Sequence, residues 1–323
     1  MKNLKITVFA DPVCTLCWGS VPMMRALEYR LGDKVEISYV MGCMIEDITT
    51  FSNRRLGIGG DIALSNRNMH KVWSEASAVH GMPVGDKGLM LFSAEHRSTA
   101  PQNIAYIAAT VYKHKANGEE VCPKRFLRRM QEATAVDMAH TCDVDVLADL
   151  AATEGFEPQR FKELMASREV HRIFDDGKAL CKRYDVHTFP TYMIEYKGTE
   201  VLLRGFTSFD TIMQNISHIT YGKIALADAD EFAPTTQNVA RYIEHYGSAY
   251  PVEIATAFCM QRISGKSALN VESYKGLPDV VEELIAQGDV AMRPRGNGFI
   301  LYNKHHKDYK PLTMEEIATM EGA

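Results

Sequence analysis

The sequence predicts an α/β protein in which a long helical insertion interrupts one sheet-forming domain, with a smaller domain after it. Two observations carry this prediction. Strand-like runs at residues 5–10 and 35–41 enclose an amphipathic helical segment, and the strand pattern returns only at residue 191. Between them, apolar residues recur at helical spacing, without the alternation typical of strands. The chain has 323 residues, which corresponds to about two domains of ordinary size.

The first half of the sheet-forming domain has a β–α–β pattern. Residues 5–10 (KITVFA) are β-rich and mostly apolar, as in a buried strand, and Asp11-Pro12 ends that run. A helix is predicted from about residue 15 to 31, and residues 35–41 form the second strand. A β–α–β unit implies parallel strands joined by a right-handed crossover.

The insertion occupies about residues 45–171 and is predicted to be helical. Its helical segments are 66–80, 101–115, 123–135, 144–154 and 158–166. The sequence then predicts a helix at 172–184, a hairpin of strands at 191–196 and 200–204, and a helix at 209–219. Residues 1–222 are therefore predicted to form one domain.

A small, polar and acidic stretch at 223–235 has the composition of a linker. Residues 236–310 then have the pattern of a compact winged-helix-like module. Its predicted helices are 236–246, 251–260 and 276–287, and its hairpin strands are 289–293 and 299–303. The tail at 311–323 is predicted to contain a short helix at 314–320.

Composition excludes several classes of protein. Hydrophobic residues make up 46% and charged residues 24% of the chain, which is ordinary for a globular protein and excludes collagen, coiled coils and disorder. No apolar stretch approaches the roughly 20 residues of a membrane span, and the N-terminal run lacks a signal-peptide pattern. The net charge is −5. With seven cysteines, an odd and sparse set, we predict a cytoplasmic protein with mostly free thiols and no membrane partner.

The motif Cys14-Thr15-Leu16-Cys17 lies between the first strand and the first helix. Unpaired N–H groups and the dipole at a helix N-terminus stabilise a thiolate, so we expect an exposed, reactive Cys14 and a more buried Cys17 that resolves mixed disulfides. The alternatives are two incidental thiols or half of a zinc site. A structural zinc site needs four ligands, and the chain has no second CxxC motif. The β–α–β context favours a redox dithiol.

Pro190 precedes the predicted strand at 191–196. A trans proline at the start of a strand is the simpler interpretation, because cis X–Pro bonds are uncommon. The combination with Cys14 and Cys17 favours a cis bond. The backbone of Phe189 is then expected to bind an extended substrate through strand-type hydrogen bonds.

The segments ADPVCTLCWG and HTFPTYMI, with the helical insertion between them, resemble the cytosolic, FrnE-like branch of the DsbA-like thiol oxidoreductases. The resemblance covers about residues 4–220 and implies a thioredoxin-like fold. It also implies Cys14 as the nucleophilic thiol, Cys17 as the resolving thiol and Pro190 as the cis-proline. The C-terminal module resembles that of the SpxH/YjbH adaptors, which present a transcription regulator to the ClpXP protease.

The motif departs from the family pattern in two places. Thr15-Leu16 stands where the family often has a proline and an aromatic residue or histidine, and neither residue brings a charge that would set the redox potential. The bulky Phe189 before the proline is expected to narrow the substrate groove. The related hydroxychromene-carboxylate isomerases and kappa-class glutathione transferases have serine at the first motif position. Cys14 argues against that branch and leaves glutathione as a candidate redox partner.

Other residues beside the motif have two interpretations each. Asp11 either accepts a proton or caps the helix, Trp18 either shields the site or packs in the core, and Cys43 is either a third redox thiol or a buried bystander. The residues predicted to contact substrate are Phe189, Trp18 and Asp11.

The C-terminal module is predicted to bind protein rather than nucleic acid. From Phe232 onward the chain has nine Lys or Arg residues against eleven Asp or Glu residues, and phosphate contacts dominate DNA affinity. Two functions follow from the sequence. The first is a dithiol–disulfide exchange enzyme that acts on protein or small-thiol substrates without a metal or organic cofactor. The second is an adaptor that binds a partner protein, for example for proteolysis, with the dithiol as a sensor or dispensable.

Overall fold

The computed structural model describes residues 4–112, 120–226, 232–263, 266–269 and 271–306. Its main sheet has four strands in the order β2–β1–β3–β4, where β1 is Leu4–Ala10, β2 is Val35–Met41, β3 is Thr191–Tyr196 and β4 is Thr199–Arg204. Strand β1 runs parallel to β2 and antiparallel to β3, and β3 and β4 form a hairpin. Because Phe9 pairs with Thr191, the end of β1 lies beside the start of β3.

Helices connect these strands and fill the insertion. They are α1 (Thr15–Gly19), α2 (Val21–Leu31), α3 (Ile62–His80), α4 (Ala100–Val111), α5 (Pro123–Ala135), α6 (Val144–Thr153), α7 (Pro158–Met165), α8 (Arg168–Arg183) and α9 (Phe209–Ile219), with a 3₁₀ turn at Gly32–Lys34. The insertion is helical as predicted, and it also contains an isolated bridge between Asn53 and Ile58. No helix in the described ranges is long and apolar enough to cross a membrane.

Several predicted helix bounds differ from the structure, and two of these differences have a local cause. The single helix predicted from residue 15 to 31 is wrong, because it breaks at Ser20 into α1 and α2. Pro22 has no N–H to donate to the carbonyl of Trp18, so the first helix cannot continue through it. Helix α8 begins at Arg168, four residues before the predicted start, with Ser167 Oγ accepting a hydrogen bond from the N–H of Val170.

The C-terminal region follows the predicted order of helices and hairpin with additions. It contains α10 (Thr236–Tyr246), β5 (Ser248–Ala249), α11 (Pro251–Phe258), β6 (Met260–Ile263), β7 (Lys266–Leu269), α12 (Val271–Gln287), β8 (Val290–Arg295) and β9 (Gly298–Asn303). Strands β5, β9 and β8 form a three-stranded sheet in that order. Strand β5 and the β6–β7 pair were not predicted from the sequence, because they are too short for a clear periodicity. The winged-helix assignment stays a prediction, and the predicted helix at 314–320 lies outside the described residues.

One hydrophobic core joins the sheet to the C-terminal region. The main cluster of buried side chains runs from β1 and α2 through α4 and α5 to α10, α11 and α12. Tyr29 on α2 packs edge-on against Tyr242 of α10 and Phe258 of α11. The C-terminal region is therefore packed onto the first domain, and the domain bounds at 222 and 236 stay a prediction.

Candidate active site

Cys14 precedes the first turn of α1, and Cys17 lies one turn into that helix. The turn after β1 sets this position, since the N–H of Cys14 donates to the carbonyl of Asp11 and the N–H of Trp18 donates to the carbonyl of Cys14. Both cysteines are free thiols. The expectation of an exposed Cys14 is wrong in degree, because the residue is 7% exposed and Cys17 is 3% exposed.

The antiparallel pairing of β1 with β3 brings the loop before β3 next to the dithiol. The Phe189–Pro190 peptide bond is cis. The thiol of Cys14 donates a hydrogen bond to the carbonyl oxygen of Phe189 at 3.4 Å. That carbonyl therefore already has a partner inside the protein while Cys14 is reduced. Pro190 itself is buried, and Phe189 is half-buried.

Burial controls the protonation of the inner thiol. Desolvation raises the pKa of Cys17 well above its usual range, and a hydrogen bond and the charge of Cys14 raise it further. A thiolate on Cys17 is therefore disfavoured while Cys14 is a free thiol or thiolate beside it.

A cavity of about 580 Å³ opens at Cys14. Its walls are mainly apolar and come from α1, the segment after β2, the loop at 51–58, α3 and the segment from α8 to β3. They include Leu16, Met44, Ile45, Phe51, Leu56, Ile58, Met69, Val72, Trp73, Val186 and Phe189. In the part of the chain that the structure describes, no Asp, Glu, Lys or Arg lines this cavity. It can therefore accept an apolar group next to the reactive sulfur.

Two further thiols, Cys43 and Cys181, line the same cavity. Burial raises the pKa of each to about 11. A thiol with such a pKa is mostly protonated near neutral pH and reacts slowly. Cys14 is the cavity thiol that also begins a helix.

Asp11 does not line the cavity, and its contact with substrate stays a prediction. Its side chain is completely buried, and its carboxylate accepts hydrogen bonds from the N–H of Val13 and of Met44 and from the side chains of Thr99 and Asn103, at 2.6–3.0 Å. Burial raises the pKa of Asp11, and the four donors oppose that rise. The carboxylate ties the loop before Cys14 to the loop after β2 and to α4.

Trp18 does not line the cavity either, and its contact with substrate stays a prediction. Its ring is 1% exposed, its indole N–H donates to the carbonyl of Pro83 at 2.8 Å, and it packs edge-on against Tyr250. The side chain points into the junction of insertion and C-terminal region because α1 turns that face inward. The packing interpretation of Trp18 is the one the structure supports.

His80 contacts the motif, although no feature of the sequence predicted this contact. It ends α3, 65 residues after Thr15, and its Nε2 lies 3.4 Å from the Thr15 hydroxyl. The N–H of Met82 donates to Nδ1 at 3.1 Å, so Nδ1 is unprotonated and Nε2 carries the proton. Burial lowers the pKa of His80 to about 4. No local signal in the sequence links residues this far apart.

Relatives of the chain fall into two groups. The ClpXP adapter protein SpxH of Halalkalibacterium halodurans is 22% identical over 268 residues, which is 80% of this chain and 79% of that protein. SpxH of Bacillus subtilis is 21% identical over 261 residues, with the same two coverages. Among solved structures, a putative protein disulfide isomerase from Nitrosomonas europaea superposes with a TM-score of 0.55 at 16% identity, covering 69% of this chain and all of that one.

The structural likeness shows a shared thioredoxin-like fold, as the sequence predicted. The family model described as thioredoxin matches residues 7–214, which include both motif cysteines and Pro190. That match covers more than half of the chain, and we conclude that the protein belongs to the thioredoxin family.

Proposed function

We propose that the protein is a thiol–disulfide oxidoreductase with Cys14 as the nucleophile and Cys17 as the resolving thiol. The observation that carries this proposal is the position of Cys14. This residue lies at the start of α1 and borders an apolar cavity, and Cys17 is buried one turn behind it. Pro190 and Phe189 complete the site, because the Phe189 carbonyl holds the Cys14 thiol.

The exchange proceeds in two steps that conserve atoms and electrons. The sulfur of Cys14 attacks one sulfur of a substrate disulfide, the S–S bond breaks, and the other substrate sulfur leaves and takes up a proton. The sulfur of Cys17 then loses its proton and attacks Cys14, which releases the second substrate thiol and leaves a Cys14–Cys17 disulfide. The protein dithiol is oxidised by two electrons, and the substrate disulfide is reduced by two. The same steps in reverse oxidise a substrate dithiol.

The pKa of Cys17 fits this order of events. Part of its rise comes from the hydrogen bond and the charge of Cys14. Both contributions disappear when Cys14 is bound in a mixed disulfide, so Cys17 loses its proton more easily at the step that needs its thiolate. Substrates are proteins or small thiols, with glutathione as a candidate, and the chemistry needs no cofactor. We propose a cytoplasmic location for this reaction.

Redox equilibration of the dithiol tests the proposal. The wild-type chain is equilibrated in glutathione buffers of defined potential, alkylated and analysed by mass spectrometry. We expect a reversible Cys14–Cys17 disulfide, a trapped mixed disulfide in Cys17→Ser and loss of exchange in Cys14→Ser. Cys122→Ser removes an exposed thiol outside the cavity and serves as the matched control. A pair that stays reduced at every accessible potential would contradict the oxidoreductase function.

The second candidate function is that of an adaptor. Its support is the similarity to proteins named ClpXP adapter protein SpxH, which spans 268 residues and is therefore longer than the thioredoxin match. Capture of partner proteins by the wild type and by the double variant Cys14→Ser/Cys17→Ser separates the two functions. Undiminished capture by the double variant supports the adaptor, whereas capture that needs the thiols supports covalent exchange.

A further inference from the structure

A second cavity lies where the insertion meets the C-terminal region, away from Cys14. It has a volume of about 430 Å³, which is the size of a small-ligand pocket. Its walls come from α2, α5, the end of α6, the turn between α10 and β5, and the β8–β9 hairpin. Five arginines line it, together with only two carboxylates: Arg25, Arg125, Arg128, Arg129 and Arg295, with Glu132 and Glu154.

Glu132 is shared among several cations. Its carboxylate lies 3.4 Å from Arg128, 3.9 Å from Arg129 and 3.5 Å from Arg295, and it also accepts a hydrogen bond from the hydroxyl of Tyr250. A carboxylate has about four lone-pair positions, and this one is surrounded by donors. It cannot neutralise three guanidinium groups by itself.

Two further carboxylates pair with the cavity arginines without lining the cavity, and they do not neutralise all of the arginine charge. Glu253 is completely buried and pairs with Arg25 and Arg128, each at 2.9 Å. Asp137 pairs with Arg129 at 3.0 Å and with Arg295 at 2.6 Å. Among the described residues, the four arginines Arg25, Arg128, Arg129 and Arg295 share three carboxylates, those of Glu132, Glu253 and Asp137, so this group keeps a positive excess.

Guanidinium donors remain available beside the cavity. The hydrogen bonds and ion pairs of Arg25 and Arg129 all run through one terminal nitrogen, Nη1, although each group has five N–H donors. The Nε of Arg295 is buried and has no hydrogen-bond partner among the described residues. The side chains of Arg125, Arg129 and Arg295 are 35%, 29% and 26% exposed, so a ligand from solvent can reach them.

We propose that this cavity binds a small anion that carries phosphate groups. Arginine forks bind phosphate through paired N–H groups at fixed geometry, and a multivalent anion would supply the missing negative charge. The ligand would bridge α5 of the insertion to the β8–β9 hairpin of the C-terminal region. Its binding would therefore stabilise the docking of that region onto the first domain.

Calorimetric titration of the full chain tests this proposal. The probes are inorganic orthophosphate, pyrophosphate and citrate, at one ionic strength kept constant with sodium chloride. We expect saturable binding of a phosphate probe to the wild type and at least about tenfold weaker binding to Arg129→Gln, which loses charge-assisted hydrogen bonds. Arg172→Gln, an exposed arginine on α8, is the matched control and should bind like the wild type. The thermal midpoint of the wild type and of Arg172→Gln should rise with the concentration of the phosphate probe.

Several results would overturn the assignment. They are the absence of saturable binding to the wild type, equal affinity in Arg129→Gln, and binding of citrate as tight as that of pyrophosphate. Circular dichroism of each variant checks that it is folded. Arg125→Gln, on the same helix and at the cavity wall, provides a second variant if Arg129→Gln does not fold.

Discussion

At the scale of single residues, the site depends on contacts between distant parts of the chain. The motif residue Thr15 reaches His80 of the insertion, and Cys14 reaches the carbonyl of Phe189. His80 is held as a neutral ring because its Nδ1 accepts the N–H of Met82 in a buried environment. A protonated ring would place two donors against each other at Nδ1 and a charge in the core.

His80 should make the folded protein sensitive to acid. Its folded pKa of about 4 lies below the usual value of about 6.5, so its contribution to stability is complete above pH 6.5 and is lost as the pH falls through 4. Urea unfolding at pH 7 and at pH 4.5 should show a smaller loss of stability in His80→Gln than in the wild type, by about 1–2 kcal/mol. His218→Gln, at an exposed position on α9, should lose as much as the wild type. An equal loss in all three proteins would exclude His80 as the acid-sensitive group.

At the scale of elements, α1 and α3 approach too closely for an ordinary side chain at the contact. A Cβ added to Gly19 of α1 would overlap the imidazole ring of His80 at the end of α3. The start of α3 is secured by Asp61, whose carboxylate accepts the N–H of Leu64 at 2.7 Å. The short α1, which contains Cys17, thus packs directly against a helix that forms one wall of the cavity.

Two glycine substitutions of opposite effect test this packing. Gly19→Ala should destabilise the protein by about 1–3 kcal/mol, because the methyl group forces the His80 ring to move. Gly276→Ala should stabilise it by about 0.5–1 kcal/mol, because this glycine lies inside α12 and a Cβ there meets no atom within 4 Å. Denaturant titration of both variants measures the two changes. If Gly19→Ala is as stable as the wild type, the ring of His80 moves aside without destabilising the protein.

At the scale of the whole molecule, buried ion pairs and a shared core join the C-terminal region to the first domain. Burial by itself would raise the pKa of Glu253, but Arg128 and Arg25 hold it below its usual range. Because Glu253 belongs to α11, Arg25 to α2 and Arg128 to α5, the network connects three parts of the chain. Trp18 packs against Tyr250 at the same junction.

Loss of the Glu253 charge should destabilise the whole protein. Glu253→Gln removes the ionic partner of Arg25 and the nearer of the two carboxylates that pair with Arg128, which costs about 3–5 kcal/mol. Unfolding followed by Trp fluorescence and by far-UV circular dichroism should give one coincident transition in the wild type and in the variant. Lys71→Gln, which removes an exposed pair with Glu75 at 3.9 Å, should cost less than about 0.5 kcal/mol. Two separate transitions would show that the C-terminal region folds independently.

Features that depend on neighbours along the chain could be predicted from the sequence. The bounds of β2, β3, α5, α9 and α10 agree with the predicted ones, because apolar periodicity and nearby Gly or Pro residues specify them locally. The start of α12 at Val271 was missed, since Gly276 and Pro278 have the pattern of a helix start while the helix continues through them.

The sequence by itself determined the α/β class, the parallel β–α–β unit at the start of the domain and the position of Cys14 and Cys17 between the first strand and the first helix. Each of these follows from residues within a few positions of one another. Tertiary structure decided the rest: the burial of Asp11 and Trp18, the contact of His80 with the motif and the arginine-lined cavity. These features join segments more than 30 residues apart in the chain, and their energies come from packing and charge pairing that form only once the chain is folded.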